Sequence, residues 1–292
     1  MRLAEWLSYL CAALAATGNA LANVMQRKAS LQQRPGRAFG LRWLLDLVRQ
    51  PTWLLGFGGL IGSFVLQAVA LGLGQLSAVE PIITLEVPLT LLVASRFFPA
   101  RLGRPEWTGI LAMTAGTIAL VAVLNPRPGD ESTVSDVTYL MAGGATAGAL
   151  AVLVMGARRG GMLWQTACLG AATGTSFGLT ATLIKETITQ ASSHGLVGVL
   201  SSWQTYAAIS FGVAGLLFMQ WALHTGPLVA AQPGFTLMDP LVATLWGVLV
   251  FDETVRAGWW LLPATLAGLA IVGGVGLLAR SPLLASLNES TA

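Results

Sequence analysis

The sequence predicts an all-α polytopic membrane protein of about nine transmembrane helices. Charge predicts it first: only 10% of the 292 residues are Asp, Glu, Lys or Arg and 54% are hydrophobic, whereas soluble domains are about 25% charged. Long uncharged windows predict it next. Trp6–Gln26, Gln50–Val79, Trp107–Pro126, Val137–Ala157, Gly160–Ile184 and Ala257–Ala279 each lack all four charged types, and a spanning helix needs roughly 20 apolar residues. Finally, the windows are too long for barrel strands, and lipid admits only helices or closed barrels.

The spans fall at roughly 5–26, 51–75, 77–98, 106–125, 137–157, 161–185, 202–223, 227–250 and 257–279. The first imitates a secretory leader, with Arg2, an apolar run and small residues, but it is long for one. Arg27-Lys28 then follows as a stop signal, so it reads as a retained span. Between spans, 27–50, 126–136 and 186–201 are the longest polar segments. Within the first of these, Leu41–Arg49 is amphipathic and reads either as a headgroup-plane helix or as an early start to span 2. Cys11 and Cys168 fall inside spans and read as small apolar packing residues. No CxxC or zinc-type Cys/His cluster accompanies them, and no cofactor is expected.

The sixteen Lys and Arg residues set the expected orientation. With the N-terminus outside, twelve fall on the cytoplasmic side, among them Arg27, Lys28, Arg101, Arg158 and Arg280. Arg2, Arg127, Lys185 and Arg256 fall outside. This is a positive-inside bias, and it makes the C-terminus cytoplasmic in a cell-membrane protein. The net charge of +3 follows from that bias, with no nucleic-acid partner implied.

An internal echo organises the spans. At a fixed shift of 152, Pro81 meets Pro233, Thr84 meets Thr236, Pro88-Leu89 meets Pro240-Leu241, Arg104 meets Arg256 and Trp107 meets Trp259. A fainter echo aligns Gly18 and Ala22 of span 1 with Gly174 and Gly178 of span 6, as small-xxx-small ridges that let helices approach closely. Spans 1–4 thus read as one half (residues 1–125). Residues 126–292 carry a linking fifth span and the second half, spans 6–9, all in one integral membrane domain. Partner spans lie an odd number of crossings apart, so the repeat is inverted, an architecture common among secondary transporters.

These units, SAVEPIITLEVPLTLLVASRFFPARLGRPEWTGILAMTAG and PLVAAQPGFTLMDPLVATLWGVLVFDETVRAGWWLLPATLAG, resemble the drug/metabolite transporter superfamily of the EamA type. That superfamily usually has ten spans in two inverted halves of five, and here the first half lacks its first helix. The nine-span layout, with GNALANVMQRKAS and TGTSFGLTATLIKET, also resembles NIPA-type magnesium transporters. No magnesium ligand carries over from them by motif. The resemblance implies transport of a small solute across the membrane.

Proline and charge in the same spans locate the expected pathway. Pro88 and Pro240 deprive the carbonyls of Thr84 and Thr236 of their helical donors, and Pro81 and Pro233 do the same for Ser77 and Val229. Spans 3 and 8 are therefore expected to be interrupted at mid-membrane and to line a cavity. Glu86 and Asp239 sit halfway along those spans, where a charge costs on the order of 3 kcal/mol or more. They are the expected binding and coupling centre, sharing a proton that a cationic solute or metal ion displaces, with the Thr84 and Thr236 carbonyls as supporting ligands. Glu80 and its repeat partner Gln232 read as vestibule residues, or, for Glu80, simply as a wetted acid. Asn19, Asn23 and Gln26 form a polar ridge expected to face other helices, either for substrate contact or for interhelical hydrogen bonding. Lys185-Glu186 reads as an exposed neighbouring pair, and His224 and Asp252-Glu253 as solvated turns.

The expected function is a secondary transporter working by alternating access, linked to protons or ions, on a small-molecule or ion substrate. No GxxxxGK[ST] supports nucleotide hydrolysis. No HExxH or GxSxG is present, and His194 and His224 are the only histidines, so no enzyme is expected. A divalent-cation permease is the alternative, because carboxylates and carbonyls are hard oxygen ligands. A non-transporting scaffold is the remote one. The lipid bilayer is the surrounding partner, and nothing in the sequence opposes a homodimer.

Overall fold

The computed structural model describes residues 2–31, 50–98, 102–129 and 136–281. Leu41–Arg49 lies outside the described residues. The helices are α1 (Arg2–Leu31), α2 (Pro51–Leu73), α3 (Leu76–Ile83), α4 (Glu86–Phe97), α5 (Arg104–Leu124), α6 (Asp136–Ala157), α7 (Met162–Ser201), α8 (Trp203–Thr225), α9 (Leu228–Leu249) and α10 (Leu261–Ala279). α3 and α4 together make span 3. Among the described residues nine stretches are long and apolar enough to cross a membrane, and the one extended pairing is an isolated bridge between Arg127 and Thr254. The chain is an all-α polytopic membrane protein.

Burial follows the solvent that surrounds it. Leu55, Ile61 and Phe64 of α2, Leu111 and Ile118 of α5, Leu140 and Met141 of α6 and Leu266 and Leu269 of α10 are all exposed. Such an apolar belt belongs against lipid. Inside, packing is carried by small residues. Gly18 and Ala22 of α1 lie against Ser63, Gly59 and Gly56 of α2. Gly109 and Gly116 of α5 lie against Gly274, Ala267 and Ile271 of α10. α1 packs on α2 and on α3–α4, and α7 packs on α8 and α9.

The glycine stripe of α7 differs from its counterpart in what it meets. Gly170, Gly174 and Gly178 face Ala231, Gly234 and Asp239 of α9, while Gly18 and Ala22 face α2. The two ridges therefore pack onto non-equivalent neighbours. A Cβ at Gly174 would meet the Gly234 carbonyl oxygen at 2.4 Å and Met238 Cβ at 2.9 Å. We expect Gly174→Leu to reduce the folded yield severely, measured as monodisperse elution from detergent, with the exposed Ser193→Ala as control. Equal yields would contradict this packing.

Two expectations need correction. The polar segment 186–201 is helical: α7 continues to Ser201, with Gly195 (φ 61°) interrupting it. The helix proper runs from Met162 to the break at Gly195; at about 1.5 Å per residue it reaches about 50 Å, well beyond the hydrocarbon thickness of roughly 30 Å. Polarity there marks where the helix leaves lipid rather than where it ends. The second correction concerns span 8. Span 3 breaks at Thr84–Leu85 as expected, but α9 runs unbroken through Pro233 and Pro240. Its close seating along the α7 glycine stripe, with Gly234 against Gly170 and Ala171, holds the helix together where the prolines omit a hydrogen bond.

Candidate functional site

The break in span 3 is built locally. Thr84 and Leu85 keep helical dihedrals, but the bonds across them tighten: Leu85 N–H donates to Ile82 O at 3.1 Å and Val87 N–H to Thr84 O at 3.2 Å. The Thr84 hydroxyl donates to the Pro81 carbonyl at 2.7 Å. The Thr84 carbonyl freed by Pro88 is thus taken up by Val87, which corrects its expected role as an available ligand. Pro81 and Pro88 are buried; Pro233 and Pro240 are half-buried.

This break delivers Glu86 to the start of α4, half-buried, on a helix that packs against α1. Asp239 lies between the two prolines of α9. It too is half-buried, and its Oδ1 is buried without a hydrogen-bond partner. Glu80, one residue before Pro81, is 1% exposed and accepts a hydrogen bond from Gln67 Nε2 of α2 at 3.2 Å. The helix that carries Asp239, α9, packs on α3, which carries Glu80. The burial of Glu80 overturns the wetted reading. None of the three acids has a basic partner among the described residues.

The remaining candidates separate. Gln232 donates to Thr236 Oγ1 at 3.3 Å, one turn on in α9, with Thr236 buried and Gln232 half-buried. Asn23 is exposed, which corrects the expectation that the whole polar ridge faces helices: Asn19 is half-buried and Gln26 packs on Gly56, but Asn23 points away. Among the described residues no group of three His, Cys, Asp or Glu side chains is arranged to hold a metal ion. Cys11 and Cys168 are buried free thiols in the packing.

Sequence reasoning missed a second polar centre. Lys185 and Glu253 are not exposed: their side chains are 6% and 1% exposed and pair at 3.1 Å. Lys185 Nζ also donates to Gly74 O at 3.1 Å and lies over the Phe251 ring, 5.3 Å from its centroid. Glu253 accepts the N–H groups of Leu76 at 2.7 Å and Ser77 at 3.0 Å, and the Ser77 hydroxyl. It therefore caps the N-terminus of α3, where unpaired donors and the helix dipole favour a carboxylate. Asp252 takes a left-handed conformation (φ 53°) that turns Glu253 inward and leaves Asp252 exposed. Gly247 leaves the room: a Cβ there would lie 2.5 Å from Glu253 Oε2. Glu186 points elsewhere, accepting from Tyr139 at 2.8 Å and Gln190 at 3.1 Å. Gln67 was missed as well, although its signal was legible: it is the one amide in α2.

No protein-family model matches the chain, and no solved structure matches it. A protein of Corynebacterium glutamicum, itself of uncharacterized function, is 27% identical over 258 residues, which covers 87% of this chain and 88% of that protein.

Proposed function

We propose that the chain is a secondary transporter of the drug/metabolite transporter type, moving a small solute across the cell membrane by alternating access. What carries the reading is that Glu80, Glu86 and Asp239 lie buried or half-buried on the two proline-bearing spans of a nine-span bundle, with Asp239 Oδ1 buried and unpartnered. Ionisable groups inside a membrane are costly, and they persist where they line a pathway or couple a proton. The absence of a basic partner favours a proton-linked or cationic cargo. Gln67 holds Glu80 in place; Asp239 Oδ1, unpartnered, is the group left for the cargo.

The experiment is a panel of solutes screened for thermal stabilisation of the purified protein, followed by counterflow of the hits in proteoliposomes. Saturable counterflow of at least one solute is expected. Stabilisation by none and flux of none would favour a non-transporting scaffold instead.

We also propose an extracytoplasmic N-terminus and a cytoplasmic C-terminus. Glu5, Gly74, Pro128, Lys185 and Thr254 share one end of the bundle, through cavities that they line, and the Lys/Arg bias makes that end the outer one. Reporter fusions at residues 34 and 285 should read inside and one near residue 130 outside; the reverse pattern contradicts the orientation.

A further inference from the structure

We infer that Lys185 and Glu253 are the gate residues of the pathway: their buried pair clasps the short helix α3 across one end of the bundle, and that end opens when Glu253 lets α3 go. The inference rests on the transporter reading and adds to it the moving part.

α3 is eight residues long. Its first turn is held by Glu253, which takes up the N–H groups of Leu76 and Ser77 and the Ser77 hydroxyl. Its last turn ends in the Thr84–Leu85 joint, where single-turn bonds replace the continuous ladder. A rigid segment with a polar clasp at one end and a two-residue joint outside the regular helix at the other can swing as a unit. Glu80 lies in the middle of it, so the segment carries one of the three central acids with it.

The space around the clasp has the shape of a stopped passage. A cavity of about 360 Å³, lined by Gly72, Gly74, Gln75, Lys185 and Thr189, reaches Lys185 from the end of the bundle. Beside the pair, Leu76, Val79 and Phe251 are fully buried. Further along, Glu86, Val87, Gln232, Met238 and Asp239 are only half-buried. The clasp therefore closes the side of this end between α2 and α7, while a cavity of about 950 Å³ lined by Tyr9, Ile82, Leu85, Thr117 and Thr254 opens at the same end beside α1 and α5.

An ion pair suits a reversible seal. While shut, each charge is satisfied by its partner and by backbone groups. When water enters, both charges are hydrated, and hydration offsets the lost pairing. Such a contact has two discrete arrangements, which is what a switching element needs.

The test reads accessibility and needs no substrate. Ala78, on α3 and fully buried, is changed to cysteine in a background carrying Cys11→Ala and Cys168→Ala. A membrane-impermeant maleimide is applied to sealed vesicles of both orientations. We expect slow labelling in the parent and in Lys185→Arg. Lys185→Met should label about tenfold faster or more, the factor expected for losing one hydrogen bond between charged groups. Ser77→Ala, which removes one donor to Glu253, should fall between. A control cysteine at Ala94, buried in α4, should keep its rate throughout.

Parent-like labelling of Ala78→Cys in folded Lys185→Met and Ser77→Ala would overturn the inference, as would equal acceleration at Ala94→Cys, which signals general loosening. If Lys185→Met does not fold, Ser77→Ala decides alone. Unchanged labelling beside normal wild-type counterflow removes the gate and keeps the transporter. Absent counterflow beside accelerated labelling removes the transporter and keeps the hinged clasp.

Discussion

Glu253→Ala will strip the protein of most of its stability, by about 3–5 kcal/mol, the usual cost of removing one partner from a buried ion pair. Lys185 Nζ would be left with the Gly74 carbonyl and the Phe251 ring as its described contacts. At the same moment the Leu76 and Ser77 N–H groups lose their acceptor, and buried donors without acceptors are costly in their own right. Thermal unfolding in detergent measures the loss. Asp252→Asn is the control, since Asp252 is exposed and asparagine tolerates its left-handed backbone; it should change stability by no more than about 0.5 kcal/mol. Lys185→Met combined with Glu253→Gln should recover part of the loss, because a neutral pair leaves no buried charge. Equal melting temperatures for Glu253→Ala and Asp252→Asn would contradict the capping role.

Glu86→Gln and Asp239→Asn will separate function from stability. Both keep side-chain shape and remove a carboxylate that has no basic partner among the described residues, so neither should lower thermal stability. Each should reduce counterflow of the solute found in the panel by roughly tenfold or more, the scale of one lost charge-assisted contact. A variant that unfolds instead would mean that its acid is structural.

The membrane spans were legible because hydrophobic length is a local signal that tertiary context does not override. The interrupted span 3 was legible for the same reason: Pro81 and Pro88 act on their own backbone. The matching prolines of α9 show the limit of that logic. Identical residues at identical spacing leave the helix unbroken, because what decides is the α7 surface it lies on. The clasp was illegible for a reason of distance. Glu253 looks like a turn acid until the N-terminus of α3, 176 residues earlier, is known to end on it. Lys185 and Glu186 look like a pair until the helix rotates them apart, one toward Glu253 and the other toward Tyr139. Glu80 was assigned to a vestibule from its place along the span; its burial depends on Gln67 arriving from α2.

The most direct test of the central claim sets wild-type protein beside the Glu86→Gln/Asp239→Asn double variant in proteoliposomes, at equal protein content, with counterflow followed across a pH series. The account predicts saturable, pH-dependent flux in the wild type and neither saturable flux nor pH dependence in the double variant. Wild-type flux with wild-type pH dependence in the double variant would contradict it.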